Sequence, residues 1–377
     1  MVPVLSRDKC VNCGLCVEVC PSCGVQLNEM SRELGLVSYD QLLGRMKGCY
    51  LGHSNDKRTR FRSSSGGIVT SLLVYMLERG IIDGAIVTLF DRKNPFFAQA
   101  SITSSREVIF EAAGSKYTPV SMDGVLKDLM QGSGKYAFVG LPCHIEALRK
   151  SERKFANLKE SVVITLGLYC NNLPSVLATK YLLWYFNIPE SEVVKIQYRG
   201  NGWPGYFLVS LKSGVTKRIP FLACSALSFG QYFCRKHCLI CNDQSAELAD
   251  ISLADPWFLG KFASSDAGGQ STIVVRTERG QNLLEQASRD NIICIRNLDK
   301  RMAVQGSSAF RKRTKCSPGI MKLLGINSPM PLRYEYTLPL DFATVVRIFR
   351  YRALSSIAKY EKLWPLLREK DRLIRTE

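Results

Sequence analysis

Residues 10–23 read CVNCGLCVEVCPSC, five thiols in fourteen positions. The spacing Cys10-x2-Cys13-x2-Cys16-x3-Cys20-Pro21 is the run with which bacterial ferredoxins hold an iron–sulfur cubane. Cysteines three apart let several thiolates reach one cluster, and Gly14 lets the backbone fold tightly between them. Zinc sites use two pairs parted by a longer spacer, and stable disulfides are rare in a reducing compartment, so both rival uses of the thiols fit less well. The fourth ligand is open between Cys20, the preferred reading, and Cys49 reaching in from a distance, which would leave Cys20 and Cys23 spare.

A second set lies further on. Cys143 sits in VGLPCH just after a predicted strand, Cys170 ends the strand TLGLYC, and Cys238 and Cys241 form CLIC. In open parallel sheets ligands gather beyond the carboxyl ends of strands, so these four could converge on one metal centre. The alternative is that Cys143 and Cys170 are ordinary buried cysteines. Cys224, Cys234, Cys294 and Cys316 read as structural, with Cys234 close enough to CLIC to be a rival ligand.

The elements that must position these groups can be read from hydrophobic period. Residues 83–90, 136–140 and 161–170 are short, apolar, β-branched runs and predict buried strands. Helical spacing appears from Gly67 to about Arg79, around 123–130 and around 144–150. Strand–helix alternation predicts an α/β fold with some α+β elements and a mainly parallel sheet. Residues 52–67 are polar and glycine-bounded and read as a linker entering a functional loop. The predicted organisation is a ferredoxin-like iron–sulfur head (1–48), an α/β domain in two parts (49–180 and 181–300, the second holding the CxxC pair), and a basic helical tail (301–377).

The chain has 377 residues, 46% of them hydrophobic, enough for a sizeable core, and a formal net charge of +18. Residues 300–377 hold 17 Lys and Arg against 6 Asp and Glu, so the charge is concentrated. Such a tail could be a solvated face, dock an acidic partner, or lie peripherally on an anionic membrane. No nucleic-acid motif accompanies it, so no nucleic acid is expected. There is no apolar run of spanning length and no signal-peptide pattern, so the expectation is a cytoplasmic protein, peripheral to the membrane at most. QGSGKYAF is not a Walker loop, because Leu129 and Tyr136 stand where Gly and Ser or Thr are needed. With three histidines (His53, His144, His237) and no nucleophile elbow, neither a histidine metal site nor a hydrolase triad stands out.

The segments SSSGGIVTSLLVYMLERGIIDGAIV, GSKYTPV, VGLPCHIEALRK, LGLYCNNLPS, YRGNGWPGY and CLICNDQSAELADISLADPW occur in this order. Together they resemble the coenzyme F420 hydrogenase/dehydrogenase beta-subunit family over roughly 45–290, and the ferredoxin-like head is a common addition there. The resemblance implies a flavin- and iron–sulfur-dependent oxidoreductase that binds FAD and exchanges hydride with coenzyme F420 or a related carrier. It implies a [4Fe–4S] cluster on Cys143, Cys170, Cys238 and Cys241, hence two clusters with the head. It maps the flavin site to Ser64, Ser65, Gly66, Gly67 and Thr70 and to Gly114, Ser115, Lys116 and Tyr117. A glycine pair opening a helix suits phosphate, since first-turn N–H groups and the helix dipole favour an anion. A simple helix cap is the bland alternative.

The family includes chlorophyll-pathway reductases and proteins linked to polysaccharide synthesis, so a tetrapyrrole or a polysaccharide-pathway metabolite is the alternative substrate. Two departures stand out: Ala254 in ISLADPW replaces a glycine common in relatives, and one ferredoxin run is present where many relatives carry two. Electron counting gives the mechanism. Clusters pass one electron, hydride carriers pass two at once, and a flavin between them does both, with no obligatory catalytic side chain. The expectation includes a redox partner protein or subunit. A zinc-bearing scaffold or a nucleic-acid binder is the non-enzymatic rival.

Overall fold

Val162–Leu168 reads VVITLGL, apolar and β-branched without polar alternation, and forms a strand at the centre of an eight-stranded sheet. A continuous apolar run is what a strand covered on both faces requires. The computed structural model describes residues 6–35, 38–229, 232–235, 237–238, 241–260, 268–305, 307–308, 312 and 342–373. In chain order the strands are β1 (Ser38–Asp40), β2 (Gly44–Met46), β3 (Gly48–Ser54), β4 (Gly84–Phe90), β5 (Ala98–Thr103), β6 (Tyr136–Gly140), β7 (Val162–Leu168), β8 (Val193–Gln197), β9 (Tyr206–Leu211), β10 (Thr216–Pro220), β11 (Ile251–Ala254), β12 (Ser271–Val275) and β13 (Ile293–Asn297).

The large sheet runs β13-β3-β12-β11-β7-β6-β4-β5. Its central strands β11, β7, β6 and β4 are parallel, with Ile251 opposite Leu166 and Ala85 opposite Ala137. Antiparallel strands flank both sides, so the α/β class is observed but the sheet is mixed rather than mainly parallel. A short return from β4 to β5 permits only antiparallel pairing, whereas parallel neighbours need helical crossovers. Strands from both predicted halves, β3–β7 and β11–β13, share this one sheet. Strands β10-β9-β8 form a separate antiparallel sheet.

The strand period of two sends neighbouring residues to opposite faces. Ala85, Val87 and Ala137 pack with Ile68, Leu72, Tyr75 and Leu284. Ile86 and Phe138 pack the other way, with Ile145, Leu148 and Leu248, and the head's Leu27 and Met30 join that core. A third core builds around Tyr181, Phe207 and Val209, and takes Ala358, Trp364 and Leu367 from the C-terminal helices Phe342–Ala358 and Trp364–Leu373. Pro365 falls in the first turn of the latter, where its missing N–H costs nothing.

The predicted helices are present as Ile68–Glu78, Asp123–Gln131 and Pro142–Glu152. The predicted linker 52–67 is largely ordered instead. It begins inside β3 and contains a helix, Lys57–Arg62, which Asp56 caps by accepting from Arg58 N–H (2.7 Å) and Thr59 N–H (2.9 Å). Its charges hid a capping signal that the polar composition alone does not reveal.

Candidate functional site

A cavity of about 450 Å³ opens where the parallel strands end; Thr88, Gly140, Leu168 and Leu253 reach it from β4, β6, β7 and β11. The volume falls in the usual range of small-molecule sites, about 300–1,000 Å³, and the position is where ligands gather in open α/β sheets. All the residues predicted for the flavin except Gly66 line it: Ser64, Ser65, Gly67 and Thr70 on one segment, Gly114, Ser115, Lys116 and Tyr117 on another.

Hydrogen bonds hold these two segments together. Ser64 Oγ accepts from Ser115 N–H (2.7 Å) and from Ser115 Oγ–H (3.0 Å). Ser65 Oγ lies 3.0 Å from Ser271 Oγ, which also accepts from Gly66 N–H at 3.0 Å. Gly66 therefore serves packing: a Cβ there would meet the Gly52 carbonyl at 2.6 Å. Gly67, at φ +80°, precedes the helix Ile68–Glu78, whose first turn of Ile68, Val69 and Thr70 lines the cavity. Helix N-termini favour anions. Lys116 adds a cation there; its Nζ donates to the carbonyls of Ala112 and of Gly114 (3.0 Å). Burial, with Arg62 nearby, pulls the Lys116 ammonium down to about 7.

The rings of Tyr117, Phe221 and Trp257 form a further, aromatic wall of the cavity. Tyr117 stacks on Phe221 with ring centroids 5.8 Å apart, and Trp203 lies 5.0 Å from Trp257. Arg199, 1% exposed, lies between them: its guanidinium is 4.4 Å from the Phe221 ring and forks onto Asp255 at 2.6 and 3.0 Å, while Trp203 Nε1–H donates to the same carboxylate at 2.9 Å. Burial works against the Arg199 charge, and the Asp255 carboxylate more than offsets it. Ser271, Arg199 and Asp255 were not identified from sequence, although Arg199 and Asp255 fall within quoted motifs. An ion pair between residues 56 positions apart has no local signal.

His144 also faces the cavity. Its Nδ1 accepts from Leu141 N–H at 3.4 Å, which leaves the proton on Nε2. Burial, then the charge of Arg235, holds the ring neutral down to about 4.

The second cysteine set meets the cavity through Cys170, which lines it. Cys170 N–H donates to the Gln244 carbonyl (2.9 Å), Cys238 Sγ accepts from Leu173 N–H (3.4 Å), and Cys241 Sγ lies 3.5 Å from Lys312 Nζ. The Cys143 thiol is pushed well up by burial and then by the charges of Cys170, Cys241, Glu146 and Cys238. Burial pushes Cys170 up to about 12, with Lys312 opposing and Cys238 and Cys241 adding to it. Cys238 is drawn down to about 6, first by a hydrogen bond with Cys234, which keeps Cys234 a rival ligand. Among the described residues no three His, Cys, Asp or Glu side chains are grouped to hold a single metal ion. A cubane spreads its thiolates over separate corners, and four mutually interacting, largely buried thiols beside a buried ammonium are a donor set that fits one.

Head cysteines Cys10, Cys13 and Cys16 are exposed, and Cys20 is half-buried. Gly14, at φ +73°, starts the short helix Leu15–Glu18, so the loop turns as its glycine requires. Cys23 lies beside Cys20 and Cys16, whose charges, after burial, push its thiol up. Cys49 is elsewhere: it is buried on β3 against Leu43, Met46 and Val274, and burial pushes it up to about 11. The head is held by the helix Pro142–Glu152 and the residues after it. Lys150 Nζ donates to the carbonyls of Cys20 and Gly24, both at 2.8 Å, while Arg153 pairs with Glu29 (3.0 Å) and Glu33 (2.6 Å), and Lys154 with Glu18 (2.8 Å). That same helix carries Cys143 in its first turn.

Comparison with known proteins adds the following. Residues 49–127 match the family described as "Coenzyme F420 hydrogenase/dehydrogenase, beta subunit N-term", residues 133–301 match the model of that family's C terminus, and residues 3–22 match a "4Fe-4S binding domain". The chain is similar to the coenzyme F420 hydrogenase subunit beta of Methanosarcina barkeri, 29% identical over 67% of this chain and 82% of the relative. It is 29% identical to the Methanococcus voltae protein of the same description, over 68% of this chain and 86% of that one. It is 25% identical to F420-dependent formate dehydrogenase 1 subunit beta of Methanococcus maripaludis, over 65% of this chain and 60% of the relative. A chain in the structure of the F420-reducing [NiFe] hydrogenase complex from Methanosarcina barkeri has a similar fold, with TM-score 0.59 and 24% identity, covering 79% of this chain and all of that one.

Proposed function

Because the chain belongs to the coenzyme F420 hydrogenase/dehydrogenase beta-subunit family, whose oxidoreductases are its relatives, we propose that it moves electrons between a reduced deazaflavin and iron–sulfur clusters through a bound FAD. A flavin supplies the chemistry that links the two: it takes up a hydride, two electrons together, and gives them up singly, with the proton going to solvent. The observation that carries the reading is the cavity at the ends of β4, β6, β7 and β11, which joins an anion-binding wall to Cys170.

In this reading the first turn of Ile68–Glu78, the hydroxyls of Ser64 and Ser65, and Lys116 hold the pyrophosphate. Tyr117 closes the pocket against Phe221, and the Trp257 face offers a planar carrier a stacking surface. His144 presents a neutral Nε2–H to the ring system. Cys143, Cys170, Cys238 and Cys241 hold one [4Fe–4S] cluster, and Cys10, Cys13, Cys16 and Cys20 hold the other. Lys150 and Ser22 keep the head close to Cys143 and Cys238, and the exposed head thiols are the exit towards a partner subunit.

No helix among the described residues is long and apolar enough to cross a membrane. Exposed Phe342, Val346 and Phe349, on one helix of a basic segment, support peripheral contact with an anionic bilayer.

Protein purified without oxygen should contain flavin and about eight irons. Reduced F420 should bleach the flavin absorbance and, with a one-electron dye, be reoxidised two dye molecules at a time. Flavin and iron present with no response to reduced F420 would reject the carrier and keep the fold; absence of flavin would reject the pathway.

A further inference from the structure

Lys312 belongs to the basic segment that sequence reads as a tail, yet its side chain is buried, 1% exposed, among the second set of cysteines. A fully buried lysine is rare unless it meets an anion. Its ammonium donates to the Asp243 carbonyl at 2.9 Å and reaches Cys241 Sγ at 3.5 Å. Cys241 Sγ, itself buried, approaches the Asp243 carbonyl too (3.4 Å), so lysine and thiol share a fixed anchor.

We propose that Lys312 is a positioning residue that sets the reduction potential of the cluster held by Cys143, Cys170, Cys238 and Cys241. This rests on the ligand assignment under Proposed function. Taking up one electron adds one negative charge to a cluster that thiolates already make negative. A fixed ammonium against a ligand sulfur favours the reduced form, and does so strongly where water is excluded. Hydrogen bonds to the sulfurs and net charge around the cluster are recognised levers on such potentials. Lysine suits the task as a compact charge with three donors, two of which the carbonyl and the sulfur occupy. The C-terminal segment thereby reaches back to tune the electron path of the main domain, so a chain lacking it would have a more reluctant acceptor.

The test is a redox titration of full-length, anaerobically reconstituted protein, followed by EPR, on wild type, Lys312→Met, Lys312→Gln and Lys312→Arg. The head cluster serves as an internal reference. In the neutral variants the midpoint of one cluster should fall by the equivalent of tenfold or more in its reduction equilibrium, ~59 mV for one electron. The other midpoint should hold, and Lys312→Arg should keep most of the wild-type value. Unchanged midpoints at unchanged iron content would overturn the tuning role alone. Loss of the cluster from both neutral variants, with Arg retaining it at any potential, would make Lys312 a structural counter-charge and overturn it too. Wild-type iron sufficient only for the head would overturn the ligand assignment beneath.

Discussion

Ser22 Oγ lies 2.8 Å from His237 Nδ1, so the turn between Cys20 and Cys23 is tied to the residue that precedes Cys238. Two residues 215 positions apart in sequence thus bridge the two cysteine sets by one hydrogen bond. Lys150, on the helix that begins at Pro142, and Arg153 and Lys154 just beyond its end reinforce the bridge. Electrons hop well only over short gaps, and here the gap is set by these polar contacts together with the buried contacts of Val25, Leu27 and Met30.

Docking of the head should therefore be sensitive to Lys150. Hydrogen bonds from a charged donor are worth about 1.5–3 kcal/mol net, so Lys150→Ala should weaken docking by about 2 kcal/mol, roughly thirtyfold in the docked ratio. Hydrogen exchange across residues 6–33 should speed up while the large sheet stays protected. Equal protection in both proteins would assign docking to the Leu27 and Met30 contacts instead.

Flavin affinity should depend on pH through Lys116. Its ammonium is lowered from an ordinary 10.5 to about 7 by burial. An anionic ligand beside it raises it again, so above pH 7 binding takes up a proton. Affinity should be level below pH 7 and fall by up to tenfold per unit above it. The stability of the ligand-free fold should run the other way: between about 7 and 10.5 the unfolded chain holds a proton that the folded chain has released, so stability rises with pH across that window. Fluorescence titration of FAD from pH 6 to 9 measures the affinity, and Lys116→Met should flatten the slope. A wild-type curve without slope would remove Lys116 from the anion site.

The central strands β4, β6 and β7 were legible because a fully buried strand writes itself as an unbroken β-branched run. The antiparallel flanks were not. GCYLGHS of β3 is neither clearly alternating nor continuously apolar, and its place between β12 and β13 is fixed by pairings across more than 200 residues. The residues that the motifs suggest for a flavin lie far apart in sequence, and the structure brings all but Gly66 to one cavity. Lys312 could not be found that way: in sequence it is one of 17 basic residues between 300 and 377, and only tertiary burial distinguishes it.

Cys49 was weighed as a distant fourth ligand of the head cluster, and its surroundings argue against that. Its thiol packs on Met46 Sδ at 3.5 Å within an apolar core, and the charges that bear on it come from Arg276, Asp40, Asp299 and Lys300. Cys23, beside Cys20 and Cys16, is the nearer rival. Cys49→Ser should leave iron and sulfide content unchanged, whereas Cys13→Ser should remove about four irons. Loss of four irons from Cys49→Ser would restore the distant ligand.

The Arg199–Asp255 pair should be structural as well as part of the cavity wall. The two side chains are 2% and 18% exposed, and the fork is completed by Trp203 Nε1–H. Arg199→Met removes the counter-charge and leaves the carboxylate in a poorly hydrated place, a loss of about 3–5 kcal/mol for a broken buried pair. Adding Asp255→Asn should recover a good part, since the residual cost is that of an uncompensated charge. Urea unfolding of the single and double variants separates the terms. Flavin retention adds a second readout: the guanidinium lies over the Phe221 ring, 4.4 Å from its centroid, and Tyr117 stacks on that ring, so the single variant should bind flavin more weakly even where it remains folded. A single variant as stable as wild type, with flavin affinity intact, would show that solvent already screens Asp255 and that the aromatic wall stands without its cation.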